Sequence, residues 1–128
     1  VESTTGKAVE LYVTTFYQEG GNAEFDAGIK EWINANADAK TNNGGNDMVS
    51  AVTAMGYDAY FTALEALKAA GSIDPAAVLE ALPGVSYEGV SGLIEFDEIG
   101  DAKRDQAYIK TANTEAGVWE FVKVQGVE

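Results

Sequence analysis

At 128 residues the chain is sized for one domain, and its 46% hydrophobic content with 14 Gly against 2 Pro is that of a globular protein, neither disordered nor fibrous. A formal charge of -13 repels phosphate backbones and anionic headgroups, which argues against nucleic acid and membrane surfaces as partners. With no Cys and no His, disulfides, thiolate or imidazole metal sites and the common nucleophilic triads are excluded together, and no apolar run approaches the roughly 18 residues that span a bilayer.

Residues 1–8 are small and polar, and loose order is expected there. Leu11-Tyr12-Val13-Thr14-Thr15-Phe16-Tyr17 reads as the first strand, being β-branched and aromatic with only hydroxyls for polarity. Apolar groups on both faces predict an interior strand of a parallel sheet covered by helices. Asn22 suits a helix cap, with Glu24 and Asp26 near the positive end of the dipole. Phe25, Ile29, Trp32 and Ile33 form one apolar stripe at helical spacing, and Trp32 is expected in the core. Residues 34–46, rich in Asn, Asp and Gly, predict a surface loop.

Residues 46–71 dominate the chain. They predict one long helix, capped by Asn46 or Asp47, favoured at its end by Lys68, and stopped by Gly71. Val49, Val52, Met55, Tyr60, Leu64 and Leu67 recur at spacings mostly of three or four, while Ala51, Ala54, Ala59, Ala63, Ala66 and Ala70 fill the flanks. So apolar a helix needs cover on most sides, more than the rest of this chain is long enough to supply. Part of a larger assembly is the expectation. Asp74-Pro75 restarts a short helix through Val78, Leu79 and Leu82 that halts at Pro83-Gly84. A β stretch over 87–96 follows, with Val90, Gly92, Ile94 and Phe96 on one side, then a turn at 97–101. Strands over 106–111 and 118–124, joined by a loop ending in Gly117, complete a mostly antiparallel tail in which Trp119 and Phe121 pack the hairpin. The order is one strand, three helices, then three strands: an α/β fold.

Few residues suggest chemistry. The serines lie outside a nucleophile elbow, and Gly20-Gly21 and Gly44-Gly45 lack the strand-to-helix context of a phosphate loop. Asp97, Glu98 and Asp101 around Gly100 hold oxygens that a calcium ion would accept, but their spacing departs from the twelve-residue loop and is ordinary for an exposed turn. No carboxylate pair is nominated for glycoside hydrolysis. An enzyme is not expected, and neither a metal nor a cofactor. Tyr57-Asp58 admits two readings. Either Tyr57 is a core residue with a partnered hydroxyl while Asp58 caps or bonds a neighbouring loop, or Tyr57 and Ala54 stand near a ligand cleft. Phe16 and Tyr17, at the exit of the first strand, pose the same choice, since ligands of α/β sheets gather at strand carboxyl ends.

Several stretches in order resemble the C-terminal third of branched-chain amino acid binding proteins, the extracellular receptors of ABC importers with the type I periplasmic-binding fold. They are LYVTTFY (11–17), GYDA (56–59) leading into LEALKAAGS (64–72), GVSG (89–92) and FDEIGDA (96–102). The resemblance covers essentially the whole chain and implies a partial type I periplasmic-binding-protein fold. Residues 11–17 and the 106–124 hairpin would belong to the second of two lobes, and residues 22–96 to the first. It further implies an amino-acid-like ligand of the Leu/Ile/Val type, an ABC permease as partner, a periplasmic or cell-surface location in a bacterium, and a C-terminal fragment whose copies self-associate. Ala54, Met55 and Tyr57 would approach the ligand side chain, and Phe16 and Tyr17 would lie near an inter-lobe crossing. The family's main amino-acid-gripping residues have no counterpart here, and a small Ala54 stands where some relatives place a bulky ring. The alternative is a self-contained protein-interaction or ligand-sensing α/β domain.

Overall fold

A computed structural model describes residues 10–126; the expectation of loose order at 1–8 falls outside them. Two bodies follow from the chain order. Strand β1 (Tyr12–Thr15) pairs with β5 (Gln106–Asn113), which pairs with β6 (Val118–Gly126), giving a three-stranded sheet. Between them lie α1 (Ala23–Ala35), α2 (Ala37–Asn42), α3 (Ala51–Ala70), α4 (Pro75–Ala81) with a 3-10 turn at Leu82–Gly84, and the small sheet of β2 (Tyr87–Gly89), β3 (Gly92–Phe96) and β4 (Ala102–Lys103).

The first strand is shorter than expected, and its setting differs. It runs antiparallel to β5, with Tyr12 opposite Thr111 and Thr15 opposite Tyr108, and has no second neighbour among the described residues. Alternate residues face solvent instead of lying under helices. Its threonines serve either setting, so composition could not separate an edge from an interior. In β6 the register slips one residue at Val122, a bulge opposite Ile109 and Lys110.

Helix starts follow side-chain competition for backbone N–H groups. Asn22 Oδ1 accepts from Phe25 N at 3.0 Å, and Asp74 Oδ1 from Ala76 N at 2.8 Å, as their positions before apolar runs predict. The long helix begins later than expected, at Ala51, because Ser50 Oγ accepts from Val52 N and Thr53 N. Asn46 and Asp47 do not cap it. Asn46 Oδ1 takes Met48 N, and Asn43 Nδ2 donates to the carbonyls of Asn46 and Met48, so these side chains hold the backbone in a non-helical turn. The helix stops at Gly71, in the left-handed region at φ 59°, where its N–H closes on the carbonyls of Leu67 and Lys68. The expected loop over 34–46 contains α2, in which Asp38 and Lys40 sit at the dipole ends each favours.

The expected β stretch over 87–96 is a hairpin, with Tyr87 opposite Ile94 and Gly89 opposite Gly92 across a turn at Val90-Ser91. Strand β4 extends this sheet, with Phe96 opposite Ala102.

The main core gathers Tyr17, Phe25, Val49 and Ala54, with Ile29, Ala51 and Val90 against it. Trp32 is not part of it. It stands 61% exposed on an open groove that residues of α1, α2 and α3 line. The stripe that α3 buries is Ala54, Asp58, Thr62 and Ala66, while Val52 at 78% and Tyr60 at 63% face outward. Phe61, Leu64 and Leu67 are half-buried, while Val52, Met55, Tyr57 and Tyr60 leave a broad apolar face of α3 uncovered among the described residues.

Candidate functional site

Residues 17–22 leave β1 and enter α1 through a tightly bonded turn. Tyr17 is buried, donates its hydroxyl to Asp26 Oδ1 at 2.7 Å and accepts from Asn22 N at 3.1 Å. Asp26 Oδ2 takes Gly20 N at 2.6 Å. Burial, then the hydrogen bond to the Asp26 carboxylate, pushes the phenol well above its ordinary value, so Tyr17 stays a donor. Glu19 anchors the turn outward. One oxygen pairs with Lys30 and the other accepts Val49 N at 2.8 Å, and these bonds hold its carboxyl below the usual range. The N-terminus of α1 is therefore rigidly presented.

Against that terminus lies a concavity of about 510 Å³ lined by Asn22, Glu24, Phe25, Gly28, Tyr57 and Val90 among others. It shares Asn22, Tyr57 and Val90 with a second hollow of about 500 Å³ that reaches Tyr87, Glu88 and, across the gap to the other body, Gln106 and Tyr108 of β5. Tyr57 stands between the two, its ring edge-on to Phe25 at 5.1 Å and tilted on Phe61 at 4.8 Å. Burial, then the Asp58 charge nearby, raises the Tyr87 phenol above its ordinary value. The wall offers aromatic faces, hydroxyls, the amides of Asn22 and Gln106 and the carboxylates of Glu24 and Glu88, with no Lys or Arg on either hollow among the described residues. Such a surface suits an ammonium group or an apolar side chain, and it has nothing to neutralise a ligand carboxylate.

Below Tyr57, Asp58 is buried and bonds the turn of the β2–β3 hairpin. Its oxygens accept Val90 N and Ser91 N at 2.8 Å each and Ser91 Oγ at 2.5 Å. This is the loop-bonding role open to it from sequence. Gly89 belongs to the same contact: a Cβ there would lie 2.5 Å from the Asp58 carboxyl carbon, so only glycine fits.

The five residues singled out from sequence are dispersed. Tyr17 and Ala54 lie in the core, beneath the concavity's wall. Tyr57 is on the wall, 40% exposed. Met55 opens instead toward an apolar hollow of about 340 Å³ with Ile94, Phe96 and Ala102. Phe16 sits between the two bodies, under the Arg104 guanidinium, whose carbon is 5.7 Å from the ring centroid. Sequence reasoning missed Asn22, Tyr87, Gln106 and Tyr108 as wall residues. Asn22 carried a signal only as a cap, and β5 carried none, because nothing in its pattern says which body it faces. The acidic segment 97–101 is a turn in which Asp97 Oδ1 takes Ile99 N and Asp101 N, and no acidic group suited to a metal occurs among the described residues.

A family model described as periplasmic binding protein matches residues 1–116. Among solved structures the chain is similar to LivK, a leucine binding protein from Thermotoga maritima, with 29% identity and a TM-score of 0.64. The alignment covers 97% of this chain and 33% of that one, so the chain spans about a third of the length of the protein it matches. No curated protein matches it.

Proposed function

The chain belongs to the periplasmic binding protein family, and on that premise we propose that it supplies one wall and two hinge crossings of a solute receptor of an ABC importer. The solute is an amino acid or a close relative, taken up outside the cytoplasmic membrane of a bacterium, and delivered to a membrane permease. The sheet of β1, β5 and β6 belongs to one lobe (residues 106–124 and the 11–17 segment up to its crossing at Phe16) and residues 22–96 to the other, so the hollow spanning Tyr57 and Tyr108 is part of the cleft between lobes. Closure is a shift of population toward the arrangement in which the ligand touches both lobes; no bond is made or broken in the solute.

The observation that carries this reading is the character of the wall, aromatic and acidic, facing a gap between two bodies that the described chain crosses at Phe16 and at Arg104-Asp105. Tyr57 and Tyr87 would pack on the ligand side chain while Glu24 or Glu88 takes its ammonium group. Tyr17 and Ala54 hold that wall from beneath, and Phe16 holds a crossing. A cationic grip on the ligand carboxylate must come from polypeptide beyond these residues, as must cover for the outward face of α3. Copies of the 128 residues by themselves are expected to associate through such faces, which light scattering at rising concentration tests.

Titration calorimetry with leucine, isoleucine and valine tests the binding. The 128 residues alone should give no saturable heat, whereas a receptor with both walls should bind, and Tyr57→Ala in it should weaken affinity by roughly tenfold or more. Tight binding by the 128 residues alone, or indifference of the complete receptor to Tyr57→Ala, would contradict the proposal.

A further inference from the structure

The two crossings between the bodies are short, one at Phe16 and one at Arg104-Asp105, and each contains a bend. The first, Phe16, follows the last residue of β1 and precedes the buried Tyr17. The second begins at Arg104, between β4 and β5. One side chain bridges the two. The Arg104 guanidinium lies over the Phe16 ring at 5.7 Å, and its Nη1 donates to the Ser91 carbonyl at 3.0 Å and to Ser91 Oγ at 3.2 Å. Ser91 in turn gives its N–H and its hydroxyl to the buried Asp58.

A continuous path therefore runs Phe16–Arg104–Ser91–Asp58, and its far end reaches the concavity. Asp58 also binds Val90 N, and Val90 lines the wall beside Tyr57, the neighbour of Asp58 on α3. The chemistry favours a stiff link. The hydroxyl of Ser91 accepts from a cation while donating to an anion, so each bond polarises the other. Arginine is the residue for this position because its planar head stacks on a ring and donates from its edge at the same time, which an ammonium does poorly.

We propose that Arg104 is the positioning residue of the hinge: by tying both crossings to the Val90-Ser91 turn, it sets the resting angle of the cleft and couples that angle to the wall where the ligand sits. This rests on the receptor reading for its consequence in binding, but the resting angle itself can be measured without any ligand. Any twist at Phe16 or at Arg104 must slide the guanidinium off the ring or pull it from Ser91, and either disturbs the turn that carries Val90.

The test uses paired spin labels at Ala69→Cys on α3 and Ala116→Cys in the β5–β6 turn, sites that are exposed in a chain with no other cysteine. Pulsed dipolar spectroscopy on the ligand-free full chain should give a single narrow distance distribution. Arg104→Gln should broaden it, Arg104→Lys should give an intermediate width, and leucine affinity in the complete receptor should move by on the order of tenfold with Arg104→Gln. Phe16→Leu, which keeps an apolar side chain at the first crossing, serves if Arg104→Gln does not fold, and should also broaden the distribution. A distribution unchanged in a folded Arg104→Gln protein, or in Phe16→Leu where Arg104→Gln does not fold, would overturn the proposal. Broadening, together with a complete receptor that binds no amino acid, would uphold the hinge assignment and sink the receptor reading instead.

Discussion

The helical body, residues 17–103, and the three-stranded sheet of β1, β5 and β6 are held together by different means. In the helical body, side chains do the joining. Asp58 binds a turn thirty-odd residues away, Asp26 closes the β1–α1 turn, and Glu19 reaches the start of α3. All of the buried core belongs to it among the described residues. In the sheet the backbone ladder does the joining: every residue of β6 is exposed, and no helix packs broadly on either face among the described residues. Its side-chain contacts are local, such as the Phe121 ring tilted on Tyr108 at 6.3 Å. The difference teaches where to look for what each body lacks. One has a wired interior and an uncovered outer helix; the other has strands without an interior.

The largest effect that would sharpen this contrast is expected from Asp58→Ala. It leaves the N–H groups of Val90 and Ser91 unpaired in a buried turn and should destabilise the helical body by about 3 kcal/mol. Urea unfolding reads the loss, and hydrogen exchange should place it in α3 and the β2–β3 hairpin, with amides of β5 and β6 unaffected. A loss below about 1 kcal/mol would mean that the side-chain wiring matters less than the packing around it.

A smaller effect is expected from Glu19, and it depends on pH. Its folded-state value is depressed, first by Lys30 and then by the bond from Val49 N, below the ordinary 4.5. The stability it contributes is therefore in place above that value and is lost as pH falls through the lower folded-state value. Glu19→Gln should be less stable than the parent at pH 6 to 7 and converge with it in acid. A constant difference between the two proteins across that range would assign the contribution to something other than the carboxylate.

The smallest effect is expected in the sheet. Val124 pairs with Tyr108 on an exposed strand, so Val124→Thr should change stability by less than about 0.5 kcal/mol in the 128-residue chain. A cost of several times that, in the same chain, would show that the face is covered by another copy and would break the contrast drawn here.

Much of the architecture was legible before any coordinates. Asn22 and Asp74 announce their helices, Gly71 ends α3, and the antiparallel pairing of β5 with β6 follows from two strand-forming runs and a Gly-containing loop. Other features were not. Asn43 and Asn46 look like ordinary loop residues and cap candidates, yet they bond each other's surroundings and hand the cap to Ser50. Trp32 shares a stripe with Phe25 and Ile33, but periodicity reports a helix face and not how far a neighbour extends along it. At the candidate site, Tyr57 was readable because of its place on α3. Gln106 and Tyr108 were unreadable because they belong to a strand whose nearest approach to Tyr57 is set by two crossings far apart in sequence.

By itself, the sequence determined what local chemistry controls: the caps, the stops, the alternation of strands, the acidic charge that turns away polyanions, and a helix too apolar to stand alone. Only the tertiary structure decided which face of that helix is buried, that β1 lies antiparallel beside β5, and that Arg104 meets Phe16 and Ser91 between the two bodies. The reason is range. Turns, caps and periodicity act over a few residues and leave a mark in composition, whereas a contact between residues 16 and 104 depends on where two bodies come to rest, and no nearby residue records it.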